Sequence, residues 1–315
     1  MKNIVFIPNI DLGNGRNNSY HYSIKSWKQW CDKNDCELIV WEDLLYPVDY
    51  MKITWQRYYV FDILEANDID YNQILMVDAD TIVHPDCPNF FELTDNKYCG
   101  VMNEGDYEWV LRSIRGFGDE LFDGKRVKPW NYINGGFQIL NKNHKDFYKK
   151  VIEYYEGNSD KIIDTISKLK TATDQTIINF LLVENNIDVK ILPDCYNLVD
   201  LYRKNLLYLD TGHWWTDELH FLEAGWVYHF NAIPPNPMDR DAKYWIKRTY
   251  TDLYVSKESP LDLLLDVQKD KSTYHNTTSK KFKKDLISFF GDDYKDKNIY
   301  EVGADAGLTS RVFSF

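Results

Sequence analysis

Asp78 and Asp80 stand one residue apart, after the apolar run Ile74-Leu75-Met76-Val77 and before Thr81-Ile82-Val83. Four apolar residues in a row suit a strand buried on both faces. Side chains alternate along an extended chain, so two carboxylates at this spacing can project to one side. Two like charges held that close repel unless a cation sits beside them. Oxygen ligands favour Mg²⁺ or Mn²⁺ over zinc. The D-x-D pattern alone is weak, and this acidic chain repeats it at Asp68/Asp70 and Asp239/Asp241. Position separates the three. Asp68 and Asp70 fall in a polar turn, whereas Asp78 and Asp80 close a strand's carboxyl end, where open α/β sheets bind ligands. The competing reading has Asp78 capping the next turn and Asp80 in solvent.

The elements that must position this pair follow from the hydrophobic pattern. Lys2–Ile7 reads as a buried strand, followed by the polar loop Pro8–Asn18 with Gly13 and Gly15. Ser19–Asp32 has helical spacing, Glu37–Trp41 reads as a second strand, and Thr54–Ala66 as a helix with Thr54 as its cap. Gln73–Val83 reads as a third strand with a polar interruption. Further on, Tyr98–Met102, Phe137–Leu140, Val189–Leu192 and Trp226–Phe230 read as short strands, and Lys145–Tyr155 and Thr173–Glu184 as helices. Strands alternating with helices predict an α/β fold, a parallel sheet with helices on both faces. Residues 269–281 are polar and aperiodic, which predicts a linker.

Size and charge narrow the function. A chain of 315 residues holds one large α/β domain, or one with an appendage. Its formal net charge of −12 argues against nucleic acid or an anionic membrane as partner. In so acidic a protein an anionic substrate needs a local counter-charge, and a divalent cation supplies one. The amino terminus reads as a strand and not a signal peptide, and no run approaches the ~20 apolar residues that span a bilayer. Cys31, Cys36, Cys87, Cys99 and Cys195 show no metal-finger spacing. They read as reduced thiols of a cytoplasmic protein. Aromatic residues make up 16% of the chain. Most of them belong in the core, though Trp109, Trp130, Trp214 and Trp215 lie in loops where rings can stack on sugars.

The stretch Gln73–Leu93 resembles the donor-site signature of GT-A glycosyltransferases, closest to glycosyltransferase family 8 and its relatives. The resemblance continues at Tyr132–Asn141, at Thr173-Asp174-Gln175-Thr176 and at Val227-Tyr228-His229-Phe230, in the family's order, over roughly residues 1–250. It implies a Rossmann-like mixed sheet flanked by helices. It also implies transfer of a sugar from a nucleotide diphosphate, by implication a UDP-sugar, to a glycan or other hydroxyl acceptor. Asp78, Asp80 and His229 match the family's Mn²⁺ ligands, with Mg²⁺ as the other candidate, and a neutral imidazole suits that metal. Arg57 matches an arginine that contacts the donor, and its rival reading is a surface salt bridge. Asn9 and Asp11 match the region that reads uracil and ribose, or else they stabilise their loop. Asn134 offers donor and acceptor to sugar hydroxyls, and Gly135 and Gly136 let backbone approach a ligand; a plain turn is the alternative. Asp174 and Gln175 match the pair that touches the transferred sugar, with Gln175 near the anomeric carbon, although Asp174 also suits a helix start.

The resemblance implies retention through an oxocarbenium-like state, with Gln175 or Asp174 stabilising the cation. An inverting enzyme would use a carboxylate base, for which Asp174 and Asp194 are the candidates, so the stereochemistry stays open. The chain departs from the family after His229. Phe230-Asn231-Ala232-Ile233-Pro234-Pro235 lacks the usual Gly and the Lys that clasps the diphosphate. Arg240, Lys243 and Lys247 are the candidate replacements.

Residues 1–255 therefore read as a GT-A domain, 256–281 as a helix and linker, and 282–315 as a C-terminal extension. In that extension Asn298–Ser310 resembles the opening motif of S-adenosylmethionine-dependent methyltransferases, which implies a fused methyltransferase in a longer chain. Two other classes compete. A sugar-nucleotide pyrophosphorylase would carry an N-terminal Gly-rich loop, of which Leu12-Gly13-Asn14-Gly15-Arg16 is a faint echo. A non-catalytic sugar-nucleotide-binding module would have little use for the cluster of Asp78, Asp80 and His229.

Overall fold

Ile4, Val5, Phe6 and Ile7 fill the centre of β1 (Lys2–Pro8), and Ile74–Val77 that of β3 (Tyr71–Val77); all are fully buried. Strands apolar on both faces belong at the middle of a covered sheet. The computed structural model describes residues 1–103, 107–171, 174–199, 219–233 and 241–255. Among these, a six-stranded sheet runs in the order β2-β1-β3-β6-β5-β7, with β2 at Glu37–Trp41, β5 at Tyr98–Met102, β6 at Ile133–Asn141 and β7 at Val189–Leu192. Only β6 runs antiparallel to its neighbours β3 and β5; the other adjacent pairs are parallel. This mixed α/β sheet with flanking helices is the class the resemblance implies; the alternation of strands and helices predicted a parallel sheet, and β6, entering between β3 and β5 in the opposite direction, makes it mixed. Residues 1–249 form one compact unit, and of the second, 250–315, only 250–255 are described. The predicted linker, C-terminal extension and methyltransferase-like motif lie outside the described residues, as do Thr173, Trp214, Trp215, Asp239 and Arg240.

The chain leaves the sheet at the aspartates. Gln73–Val83 is not one strand. β3 ends at Val77, Asp78–Asp80 form a turn, and β4 (Thr81–Val83) pairs antiparallel with β8 (Val227–His229) in a separate ribbon. Backbone hydrogen bonds explain the switch. Asp78 N donates to Gly136 O (3.0 Å), still on β6, whereas Phe230 N donates to Asp80 O (2.8 Å), beyond β8. The Thr81 hydroxyl closes the turn on Asp78 O (2.8 Å) and is held by Trp27 Nε1 (2.9 Å) from helix α1 (Tyr20–Lys33).

Three helices differ from expectation. Thr54–Ala66 is broken into α2 (Ile53–Gln56), a 3-10 turn at Arg57–Tyr59, and α3 (Val60–Ala66). α4 (Tyr107–Leu121) occupies a region expected to be loop, and it buries Val110, Ile114 and Phe117 at helical spacing. α5 runs Lys145–Leu169 instead of stopping at Tyr155, because Ile162 and Thr165 continue its buried face past Gly157. α6 (Asp174–Glu184) and α7 (Ala242–Tyr254) complete the described elements. Among the described residues no helix is long and apolar enough to cross a membrane.

Candidate active site

The turn between β3 and β4 and the end of β8 bring three side chains together. Register Thr81↔His229 places the imidazole beside Asp80. Ligand atoms of Asp78, Asp80 and His229 all lie within 4.8 Å of one another. His229 Nε2 is 3.2 Å from Asp80 Oδ1 and 3.6 Å from Asp78 Oδ2. Asp80 and His229 are buried, yet Nε2 has no hydrogen-bond partner. A buried polar atom left unpaired is costly, so an orphan aimed at two carboxylates needs an explanation. The backbone makes room for one: a Cβ at Gly136 would lie 2.5 Å from both Asp78 Oδ2 and His229 Cε1. Two carboxylates, one imidazole and a glycine-lined approach fit a divalent cation of the Mn²⁺ or Mg²⁺ kind. Burial alone would raise the Asp80 carboxyl, but His229 and, behind it, Arg16 outweigh burial and hold it below the usual carboxylate range.

Arg57 lies against this cluster. Its Nη1 donates to Asp78 Oδ1 (2.6 Å) and Gly135 O (3.2 Å), and its Nε donates to Thr54 O (3.0 Å) and lies 3.7 Å from Asp174 Oδ2. The 3-10 turn that interrupts the helix carries this side chain. Burial works against the guanidinium charge, but Asp78 and Asp174 outweigh it and push its pKa further up. Asp174 is itself buried and accepts from Tyr58 Oη (2.9 Å). Arg57 does form salt bridges, but not the surface pair of the rival reading: its side chain is largely buried, and both partners belong to the site.

A run of buried amides backs the triad. Asn134 Oδ1 accepts from Gly136 N (2.9 Å) and Asn197 Nδ2 (3.1 Å), while its Nδ2 donates to Asn103 Oδ1 (3.0 Å) and Gln175 Oε1 (3.2 Å). All of its hydrogen-bonding positions are engaged inside the protein. Gln175 Oε1 also accepts from Gly135 N (2.8 Å). Gly135 faces Gln175 and Gly136 faces the triad, because successive residues of a strand look to opposite sides. Among the described residues no hydrogen bond joins Gln175 to the triad directly; Asn134 and Asn197 lie between them.

The loop after β1 forms another wall. Asn9 Nδ2 donates to Glu42 Oε1 (3.1 Å), and Asn9 Oδ1 accepts from Asn17 Nδ2 (2.9 Å). Asp11 Oδ1 accepts from Gly13 N (2.8 Å). Both residues stabilise the loop, and the exposed Asp11 keeps an oxygen toward solvent. Arg16, which the sequence offered only as part of a faint pyrophosphorylase-like loop, reaches to 3.9 Å from Asp80 Oδ2 while Nε donates to Tyr20 Oη (2.9 Å). Its side chain stays largely exposed. Lys243 Nζ comes to the same loop, 3.9 Å from where a Gly15 Cβ would sit. The one available signal was a lone Arg in a Gly-rich loop after the first strand; nothing in the sequence places it beside Asp80. Asn103 and Asn197 were missed as well, being single polar residues in loops.

With this geometry in hand, likeness to known proteins can be weighed. No protein-family model and no curated protein sequence matches the chain. A glycosyltransferase involved in glycosylation of the major capsid of PBCV-1 superposes with a TM-score of 0.51 at 10% identity, covering 78% of this chain and 99% of that one. This chain shares the fold of that enzyme. Two further structures are the glycosyltransferase GlyE of Streptococcus pneumoniae TIGR4 (15% identity, 89% and 67% coverage) and mouse xyloside xylosyltransferase 1 (13%, 75% and 100%). Their TM-scores of 0.45 and 0.42 fall below the level at which we infer a shared fold. Within this fold, the acidic turn, His229 and the loop after β1 meet at the carboxyl ends of β1 and β3, where parallel strands of an α/β sheet present their ligand site.

Proposed function

We propose that this chain transfers a sugar from a nucleotide diphosphate, with a UDP-sugar as donor, to a hydroxyl acceptor, with Asp78, Asp80 and His229 holding Mn²⁺ or Mg²⁺. The observation that carries the reading is the buried, unpartnered Nε2 of His229 facing two carboxylates across a gap that only a glycine leaves open. A bound divalent ion supplies positive charge for the departing diphosphate.

The chain's own residues do the rest. Arg16 and Lys243 converge on one exposed loop beside the aspartates and take the place of the family's missing diphosphate lysine. Arg57 stays charged and holds Asp78 and Asp174 in register. Asp174, committed to Arg57 and Tyr58, serves as a support and not as a base. Gln175, tied to Gly135 N and Asn134, is the group we place nearest the anomeric carbon, which supports transfer with retention. Asn9 and Asp11 shape the wall toward the base and ribose. Residues 1–255 constitute the transferase domain in this reading. The kinship to family 8 and the methyltransferase-like tail rest on their sequence motifs.

The test is a panel of UDP- and GDP-sugars with Mn²⁺, scored for donor hydrolysis and for thermal stabilisation. A preferred UDP-sugar, hydrolysed only with metal and raising Tm by several degrees, supports the proposal. If no sugar nucleotide binds or is hydrolysed, while UTP and a sugar phosphate release pyrophosphate, the chain is a nucleotidyltransferase and the proposal fails.

A further inference from the structure

The tautomer of His229 is fixed by hydrogen bonds that begin at two backbone amides. Gly136 N–H can only donate, so the Asn134 atom it meets (2.9 Å) is the carbonyl oxygen. Gly135 N–H identifies Gln175 Oε1 in the same way (2.8 Å), and Asn134 Nδ2 then donates to it (3.2 Å). With Asn134 so oriented, its oxygen takes a second hydrogen from Asn197, which must present Nδ2 (3.1 Å). The other end of the Asn197 amide, Oδ1, therefore faces His229 Nδ1 at 3.2 Å. A carbonyl oxygen can only accept, so Nδ1 carries the hydrogen, and in the neutral ring Nε2 keeps its lone pair. That lone pair looks at Asp78 and Asp80. Asn134, Asn197 and His229 are all buried, and no described residue offers Nδ1 a second acceptor.

We infer that Asn197 is the positioning residue that locks His229 in its Nδ1–H tautomer and so readies Nε2 for a divalent cation. The inference rests on the proposed metal site for its purpose, but its geometry stands without a metal. Asn197 reaches this place because its segment runs beside β8: Leu198 N donates to Val227 O (2.8 Å), and His229 N donates to Leu198 O (3.2 Å). An outer acceptor on a ligating imidazole orients the ring and makes its other nitrogen a better donor to metal. The same amides reach Gln175, so the ring and the side chain placed near the transferred sugar share one scaffold.

The experiment uses the full chain, metal-free, with ¹⁵N-labelled histidine at ~pH 8, and ¹⁵N shifts tell either neutral tautomer from the doubly protonated ring. Long-range ¹H–¹⁵N correlation reads the tautomer of His229 directly, and titration with Mn²⁺ alone reads affinity. The inference predicts the Nδ1–H form in the unsubstituted chain. Asn197→Leu removes the acceptor, and a mixture of tautomers with Mn²⁺ affinity lowered about 10–100-fold is expected. Asn197→Asp keeps an acceptor for Nδ1–H but loses the hydrogen given to Asn134 Oδ1, so the tautomer and an affinity between those of the unsubstituted chain and Asn197→Leu are expected. An Nε2–H ring in the unsubstituted chain overturns the inference whether or not any variant folds. So does an Asn197→Asp chain that melts normally yet loses as much affinity as Asn197→Leu. An Nδ1–H ring that binds no Mn²⁺ leaves the tautomer standing and defeats the metal reading, so the two failures are distinguishable.

Discussion

Gly136 approaches Asp78 so closely that a single added methyl group would stand 2.5 Å from its Oδ2. The same methyl would meet His229 Cε1 at 2.5 Å, so the glycine sets the width of the gap between a carboxylate and an imidazole. Gly136→Ala should push one of them away. Overpacking of this kind costs about 1–3 kcal/mol, and Mn²⁺ affinity should fall as well. Urea unfolding and Mn²⁺ titration check both; an alanine variant with unchanged metal affinity would show that the gap plays no part.

Arg57→Met should destabilise the fold by about 3 kcal/mol, because it strands the buried Asp174 and the half-buried Asp78 without their shared cation. Arg57→Lys should recover only part of that loss, since an ammonium cannot span both carboxylates and two carbonyls in a planar fork. Denaturant midpoints at matched m-values measure the difference.

Arg16→Ala and Lys243→Ala should each weaken UDP binding by about tenfold, the worth of one exposed charge-assisted contact, without changing Tm much. Both losses should shrink at high salt, where screening already removes part of the attraction. Calorimetric titration of UDP with Mn²⁺ at two ionic strengths reads the effect. Equal affinities for variants and parent would move the diphosphate elsewhere.

His144 gives a pH dependence unconnected with the site. Burial pushes its imidazole from 6.5 down to about 4, and its Nδ1 accepts from Asn141 N (3.0 Å) at the start of α5. The unfolded ring takes up a proton that the folded ring refuses, so stability is fully present above the unfolded value. It is lost as pH falls from 6.5 toward about 4. The loss should be on the order of 2 kcal/mol after allowing for solvent screening of the ring. His144→Gln keeps an acceptor for Asn141 N–H and should flatten that segment of the stability–pH curve.

The parts of this protein legible in the sequence are those whose signal is local. Ile74–Val77 followed by Asp78 and Asp80 announces a buried strand ending in charge, and Val227-Tyr228-His229 announces a short apolar strand ending in a donor. The turn that separates Asp78 from Asp80 was not legible, because it depends on Phe230 N and Gly136 O arriving from distant segments. α4 was legible in principle from Val110, Ile114 and Phe117, but aromatic residues around them read equally well as a loop. Asn103 and Asn197 carry no pattern at all, and Arg16 only its Gly-rich loop, since a lone polar side chain takes its meaning from a partner tens of residues away. The missing lysine after His229 was visible, yet the exposed cation that reaches toward Asp80 lies on the first loop of the chain.

The most direct measurement is calorimetric titration of UDP, with and without Mn²⁺, into the parent chain and Asp80→Ala. His229 and Arg16 hold the buried Asp80 carboxyl below the usual range, so its removal should lower Tm, and a melt of the variant establishes that it is folded before the titration is read. The account predicts saturable UDP binding that requires Mn²⁺ in the parent and is lost in the variant. Undiminished Mn²⁺-dependent UDP binding by Asp80→Ala, or UDP binding by the parent that ignores the metal, would contradict it.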